Sequence, residues 1–170
     1  DDLKINEPVG KKAKSFIAFK KLDLKYPKGV VISIPVVQAI LAGNEEVLDR
    51  IIDMLMKYFE IKEENVPFKI TLAVRSSPTL SMPGVLETVL DVSNKEALRE
   101  AIKKVAFSWN SQKAKNCRLS NNISDEPRLG IVIQEMVKEK PSAYSSYSGV
   151  VFSRNPNTGE KGLLRIDFID

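Results

Sequence analysis

Apolar residues recur along this chain at two distinct spacings. Val47, Leu48, Ile51, Ile52, Leu55, Met56 and Phe59 follow the i, i+3, i+4 rule of a helix with one buried face. Asn44 and the pair Glu45-Glu46 precede them, giving a side-chain cap and negative charge at the positive end of the helix dipole. Leu98, Ile102, Val105, Ala106 and Trp109 repeat the spacing, predicting a helix over 95–109 capped by Ser93 or Asn94. Phe16, Ile17, Phe19 and Leu22 predict a short amphipathic helix over 11–21. Pro35 suits the first residue of a helix through Leu41 that stops near Gly43, and a further short helix is expected over 113–119. Short β-branched or continuous apolar runs predict strands at 30–34, 68–74, 87–92, 131–137, 149–153 and 163–168. The turn Pro27-Lys28-Gly29, a polar loop at 121–128, a loop at 138–148 and a turn-rich link at 154–160 separate them. Interleaved helices and strands that close on a hairpin predict an α+β fold with flanking helices rather than a doubly wound sheet.

Composition narrows the chemistry more than the fold. At 170 residues, with 43% hydrophobic and 28% charged, the chain is long and apolar enough for its own core, and disordered or fibrous classes are excluded. The single cysteine, Cys117, rules out an internal disulfide and a multi-cysteine metal site. There is no histidine, so an imidazole base, a histidine metal ligand or a phosphohistidine on this chain is excluded. No apolar run approaches the ~20 residues of a membrane span. The first residues, Asp1-Asp2-Leu3-Lys4, show no signal peptide, and the lack of an initial methionine suggests a processed chain or a fragment. A cytoplasmic location is expected, with no membrane and no nucleic acid as partner. The net charge of +4 has two readings, dispersed surface lysine or an anion site, and the lysines cluster early: Lys11, Lys12, Lys14, Lys20, Lys21, Lys25 and Lys28.

Several segments could carry chemistry. Arg75-Ser76-Ser77 closes an expected strand in front of Pro78, and strand ends are where α/β proteins place ligands. A guanidinium fork with nearby hydroxyls suits phosphate oxygens, although the same arginine could simply leave the core and pair with an acid. In Leu80-Ser81-Met82-Pro83-Gly84 the glycine could let backbone amides approach a ligand, or the loop could be an ordinary turn. Gly10-Lys11-Lys12-Ala13-Lys14 places lysines at a helix start, which attracts anions, but lacks the P-loop spacing. Gln134-Glu135-Met136-Val137 could offer a strand edge and a methionine to a base, or be plain strand.

Taken together, these segments resemble the N-terminal nucleotide-binding region of the pyruvate, phosphate dikinase family, an ATP-grasp domain. The similarity rests on Val74-Arg75-Ser76, Ser81-Met82-Pro83-Gly84, Glu87-Thr88-Val89-Leu90, Ser108-Trp109-Asn110-Ser111 with Lys113-Ala114 and Arg118, and Val151-Phe152-Ser153-Arg154-Asn155-Pro156-Asn157-Thr158-Gly159-Glu160. The resemblance implies an ATP-grasp-like domain with a mixed sheet. Residues 1–130 would form a first lobe, with a long helical insertion of the family absent near 92–95, and 131–170 part of a hairpin-rich second lobe. It implies that ATP is bound with Mg2+ and that a phosphoryl group passes to a histidine on another domain or protein chain. Lys12 and Arg75 would be the catalytic, phosphate-holding pair, Ser76, Ser81 and Gly84 further phosphate contacts, and Gln134, Glu135, Met136 and Val137 the border of the adenine. The sequence also departs from the family. Two glycines of its lysine loop are replaced around Lys12, Asp23 stands for another, and Glu87 stands for an aspartate. The family's metal-binding Asp-x-Glu has no counterpart, and nothing places Asp167 or Asp170 in that role. The alternative expectation is a degenerate, non-catalytic relative acting as a protein-binding or regulatory module.

Overall fold

The computed structural model describes residues 9–61, 67–137 and 148–169. Among the described residues five helices, α1 (Lys11–Lys21), α2 (Ile34–Leu41), α3 (Glu45–Tyr58), α4 (Lys95–Phe107) and α5 (Gln112–Ser120), are interspersed with six strands. The strands are β1 (Gly29–Ile32), β2 (Leu72–Pro78), β3 (Thr88–Val92), β4 (Leu129–Glu135), β5 (Ser148–Arg154) and β6 (Lys161–Ile169). The expected caps form: the Asn44 side chain accepts from the Val47 amide at 3.0 Å, and that of Asn94 accepts from the Ala97 amide at 2.7 Å. The α4 helix stops at Phe107 and tightens into a 3-10 turn, Ser108–Asn110, so the predicted helix end at Trp109 is shortened.

The chain divides into two units, 1–136 and 137–170. The first is built on a four-stranded sheet in the order β1-β4-β2-β3. Every pairing among the described strands is antiparallel, so the mixed sheet expected from the sequence is not what forms here. The strand β4 is a central strand of the first unit's sheet, and that unit ends at 136. The second unit carries the β5–β6 hairpin. Its turn is tied by the Asn155 side chain, which accepts from the Asn157 amide at 2.9 Å, and by Gly159 at positive φ. Val151, Leu164, Ile166 and Phe168 of the hairpin are exposed.

Alternation along the strands gives the first sheet two unlike faces. Leu72, Val74, Ile131, Ile133 and Ile32 point to the main core, where Val37, Leu48, Ile52, Leu55, Leu98, Ile102, Val105 and Trp109 pack from the helices. Ala73, Arg75 and Ser77 point the other way, level with Gln134, Val132 and Gly130 of β4. That face carries only a small cluster of Val9, Ala13 and Val132, with Phe16 and Val31 against it, beneath α1.

Candidate functional site

Arg75 lies inside a strand, not beyond its end. The sequence suggested a strand over 68–74; β2 instead runs Leu72–Pro78. Ser76 and Ser77 pair with Ile131 and Gly130 of β4, and this pairing holds the polar residues in the ladder. Pro78, which has no amide of its own to give, is the last residue of the strand, and the Thr79 amide after it donates to the Arg128 carbonyl at 3.0 Å. Ser76 and Ser77 are buried, while Arg75 is exposed on the α1 face.

The α1 start comes down on that same face. Lys12 turns its amine onto the sheet and donates to the Ser76 carbonyl at 2.8 Å. Partial burial, and then the neighbouring Arg75 guanidinium, hold the Lys12 ammonium below the usual lysine range. No carboxylate pairs with either cation among the described residues. Two cations held together without an acid cost free energy unless an anion joins them. The fold therefore brings together Lys12, Arg75 and the backbone of Ser76.

The other residues singled out in the sequence are placed apart from this pair. Ser81 and Gly84 lie in the loop between β2 and β3, both exposed. Gly84 adopts positive φ, with open space where a side chain would be, and Met82 beside it anchors the loop in the core. The Lys113 amine on α5 donates to the Gly84 carbonyl at 2.6 Å. Gln134 shares the face of Arg75, opposite Ala73, and its side-chain amide donates to the Pro27 carbonyl at 3.2 Å. The segment is not a sheet edge, because β4 lies between β1 and β2. The Glu135 amide is taken by the Lys28 carbonyl and that of Met136 by the Thr71 carbonyl. The Met136 sulfur accepts from the Asp91 amide at 3.3 Å. Val137 heads the second unit and is exposed. Along β2, Arg75 lies two residues, about 7 Å, from Ala73, the residue opposite Gln134.

Two residues carry more of the local structure than their sequence pattern suggested. Arg118 is buried at 2% exposure, with its guanidinium 4.5 Å from the centre of the Trp109 ring. It donates to the Trp109 carbonyl and to the Asp125 carboxylate, at 2.6 and 3.0 Å, which pins the loop after α5. Ser77 accepts from the Ala13 amide at 3.1 Å, joining β2 to α1. The Ser77 contact spans sixty-four positions and has no local sequence signal, while Arg118 reaches partners seven and nine positions away that hydrophobic periodicity does not read. Among the described residues no three acids, cysteines or histidines gather as a metal site. Asp167 pairs with Arg165 at 2.9 Å, and Asp170 lies outside the described residues.

A family model described as "Pyruvate phosphate dikinase, AMP/ATP-binding domain" matches residues 44–168. Arg75 lies inside that span and Lys12 before it. The chain is similar to pyruvate, phosphate dikinase of Rickettsia typhi, with 47% identity over 69 residues, 41% of this chain and 8% of the relative. It is also similar to phosphoenolpyruvate synthase of Aeropyrum pernix, with 32% identity over 110 residues, 64% of this chain and 13% of the relative. An uncharacterized phosphotransferase of Bacillus subtilis is 33% identical over 103 residues, 56% of this chain and 12% of the relative. The matches thus cover only about an eighth or less of these much longer proteins.

Proposed function

Because the chain belongs to the AMP/ATP-binding domain family of pyruvate phosphate dikinase, we propose that it is the nucleotide-binding part of an ATP-dependent phosphotransferase. Lys12 and Arg75 hold the polyphosphate, with Ser76, Ser81 and Gly84 as further contacts. Gln134, Glu135, Met136 and Val137 border the base on an ATP-grasp-like scaffold. The observation that carries this reading is the placing of Lys12 beside Arg75 on one sheet face, with no acid paired to either among the described residues, where the partial burial of Lys12 and mutual repulsion favour an incoming anion. Gln134, opposite Ala73, lies further along the face that carries Arg75.

Among the described residues no three acids, cysteines or histidines gather, and the Mg2+ that accompanies ATP would be carried chiefly by the nucleotide's own phosphates. With no histidine in the chain, the phosphoryl acceptor belongs to another domain or another protein chain. A cytoplasmic location goes with this reading. No helix among the described residues is long and apolar enough to cross a membrane.

Calorimetric titration with Mg-ATP tests the reading. Binding is expected in the wild type, weakened by about tenfold or more in Arg75→Ala, since a charge-assisted hydrogen bond is worth about 1.5–3 kcal/mol. Folded wild-type protein that takes up no Mg-ATP, or an Arg75→Ala variant that binds as well, would overturn it.

A further inference from the structure

The first turn of a helix leaves amide donors without intrahelical partners, and a local side chain usually caps one of them. In α1 the first bond of the helix runs from the Lys14 amide to the Gly10 carbonyl at 3.2 Å, and its first turn carries no acid. The Ala13 amide is met instead by the hydroxyl of Ser77, sixty-four positions away on β2. Ser77 and Ala13 are both fully buried. The joint is closed by two glycines. A Cβ on Gly10 would fall 1.5 Å from the Ser77 carbonyl oxygen and 2.6 Å from its hydroxyl. Gly130, the ladder partner of Ser77, has its Cβ position 3.1 Å from the Ile32 carbonyl and 3.5 Å from the Gly10 nitrogen. Only a bare backbone fits between α1 and this part of the sheet.

Lys12 sits between Gly10 and Ala13, so the joint fixes its direction. A slip of one residue along α1 would turn Lys12 by about 100°, off the sheet and away from Arg75. We propose that Ser77 is a positioning residue: its buried hydroxyl caps α1 from β2 and so holds the Lys12 amine on the Ser76 carbonyl, beside Arg75. The consequence for nucleotide binding rests on the function proposed above; the placement of Lys12 does not.

The test therefore reads Lys12 directly. Competitive acetylation of the full chain with trace acetic anhydride across pH, read by mass spectrometry, gives the titration of each lysine. In the wild type Lys12 is expected to titrate below the ordinary lysine value of 10.5. In Ser77→Ala it moves back toward that value, and Mg-ATP binding weakens about fivefold, the worth of one buried hydrogen bond. Ser108→Ala, which removes another buried hydroxyl bond, to the Val105 carbonyl, leaves Lys12 unchanged. A folded Ser77→Ala protein with an unaltered Lys12 titration overturns the proposal. Should that variant fail to fold, hydrogen exchange on the wild type decides: the Ala13 amide is expected to be protected well above that of Lys12, and equal, rapid exchange overturns it. If Lys12 and Ala13 behave as expected while Mg-ATP does not bind, the positioning role stands and the nucleotide function falls.

Discussion

The two faces of the β1-β4-β2-β3 sheet are made from the same strands and do opposite work. On one, Leu72, Val74, Ile131 and Ile133 are covered by helices and belong to a core that runs through α2, α3 and α4. On the other, Ala73, Arg75 and Ser77 alternate with them, and only Val9, Ala13 and Val132 form a buried apolar cluster. The first face supplies the area removed from water that keeps the sheet folded. The second can therefore hold an uncompensated pair of cations, a cost that a thinly covered face could not bear alone. Binding chemistry sits where the packing is sparse, and stability comes from the residue next along the same strand.

Adjacent positions of β4 give the sharpest way to break this comparison. Ile133→Ala, on the packed face, should cost about 2–5 kcal/mol by chemical denaturation. Val132→Ala, on the α1 face, should cost about 1.6 kcal/mol, the value of two buried methyl groups. Equal losses would mean that the faces share the load. Gly10→Ala comes next in size. Its methyl has no room against Ser77, and overpacking of this kind costs about 1–3 kcal/mol. Because the displaced element carries Lys12, Mg-ATP affinity should fall with stability, whereas Ile133→Ala should leave the affinity of the folded fraction intact.

A smaller effect follows from the Lys12 titration. Its folded value lies below the ordinary 10.5 through burial and then Arg75, so in the interval between them the unfolded chain binds more protons. Stability should therefore rise with pH across that interval, and Lys12→Met should lack the rise. An anion bound between Lys12 and Arg75 pulls the amine back up. Mg-ATP binding at a pH between the lowered value and the ordinary 10.5 should take up protons, measurable by calorimetry in buffers of different ionisation enthalpy.

Much of the packed face was legible in the sequence, and less of the other. The α3 and α4 helices announce themselves by the spacing of Leu48, Ile52 and Leu55 and of Leu98, Ile102 and Val105, with Asn44 and Asn94 as caps. The β2 boundary was not legible, because Arg75-Ser76-Ser77-Pro78 is polar and ends in proline. Only the partners Val132, Ile131, Gly130 and Leu129 make it a strand. Arg118 defeats a hydrophobic pattern outright, being a charge buried through its stack on Trp109 and its bond to Asp125. From local pattern alone Lys12 and Arg75 were readable one at a time, as a lysine at a helix start and an arginine among hydroxyls; the family resemblance is what paired them. That they stand together depends on Ser77 reaching Ala13, a contact no local pattern encodes.

The smallest effect belongs to the outer surface of the packed side, where α3 and α4 face each other with opposite charges at four-residue intervals. Arg99 donates to both Glu45 and Asp49, Lys103 pairs with Glu45 at 2.9 Å, and Lys95 lies 3.6 Å from Asp53. Exposed ion pairs stabilise little and are screened by salt. Arg99→Ala should lower the thermal midpoint slightly in dilute buffer, and the difference should vanish at about 1 M salt, where the screening length is about 3 Å. The hydrogen bond from Lys103 holds the Glu45 carboxyl below its ordinary value; desolvation opposes it, and Arg99 adds to the lowering. Its contribution is therefore present at neutral pH and lost as pH falls through that lowered value. The loss in Ile133→Ala, being apolar, should survive both high salt and mild acid, and the Lys12 titration should be the same in Arg99→Ala as in the wild type. A shift of Lys12 in Arg99→Ala would show that the charged surface of one side reaches the cation pair of the other, and the separation of the two faces would fail.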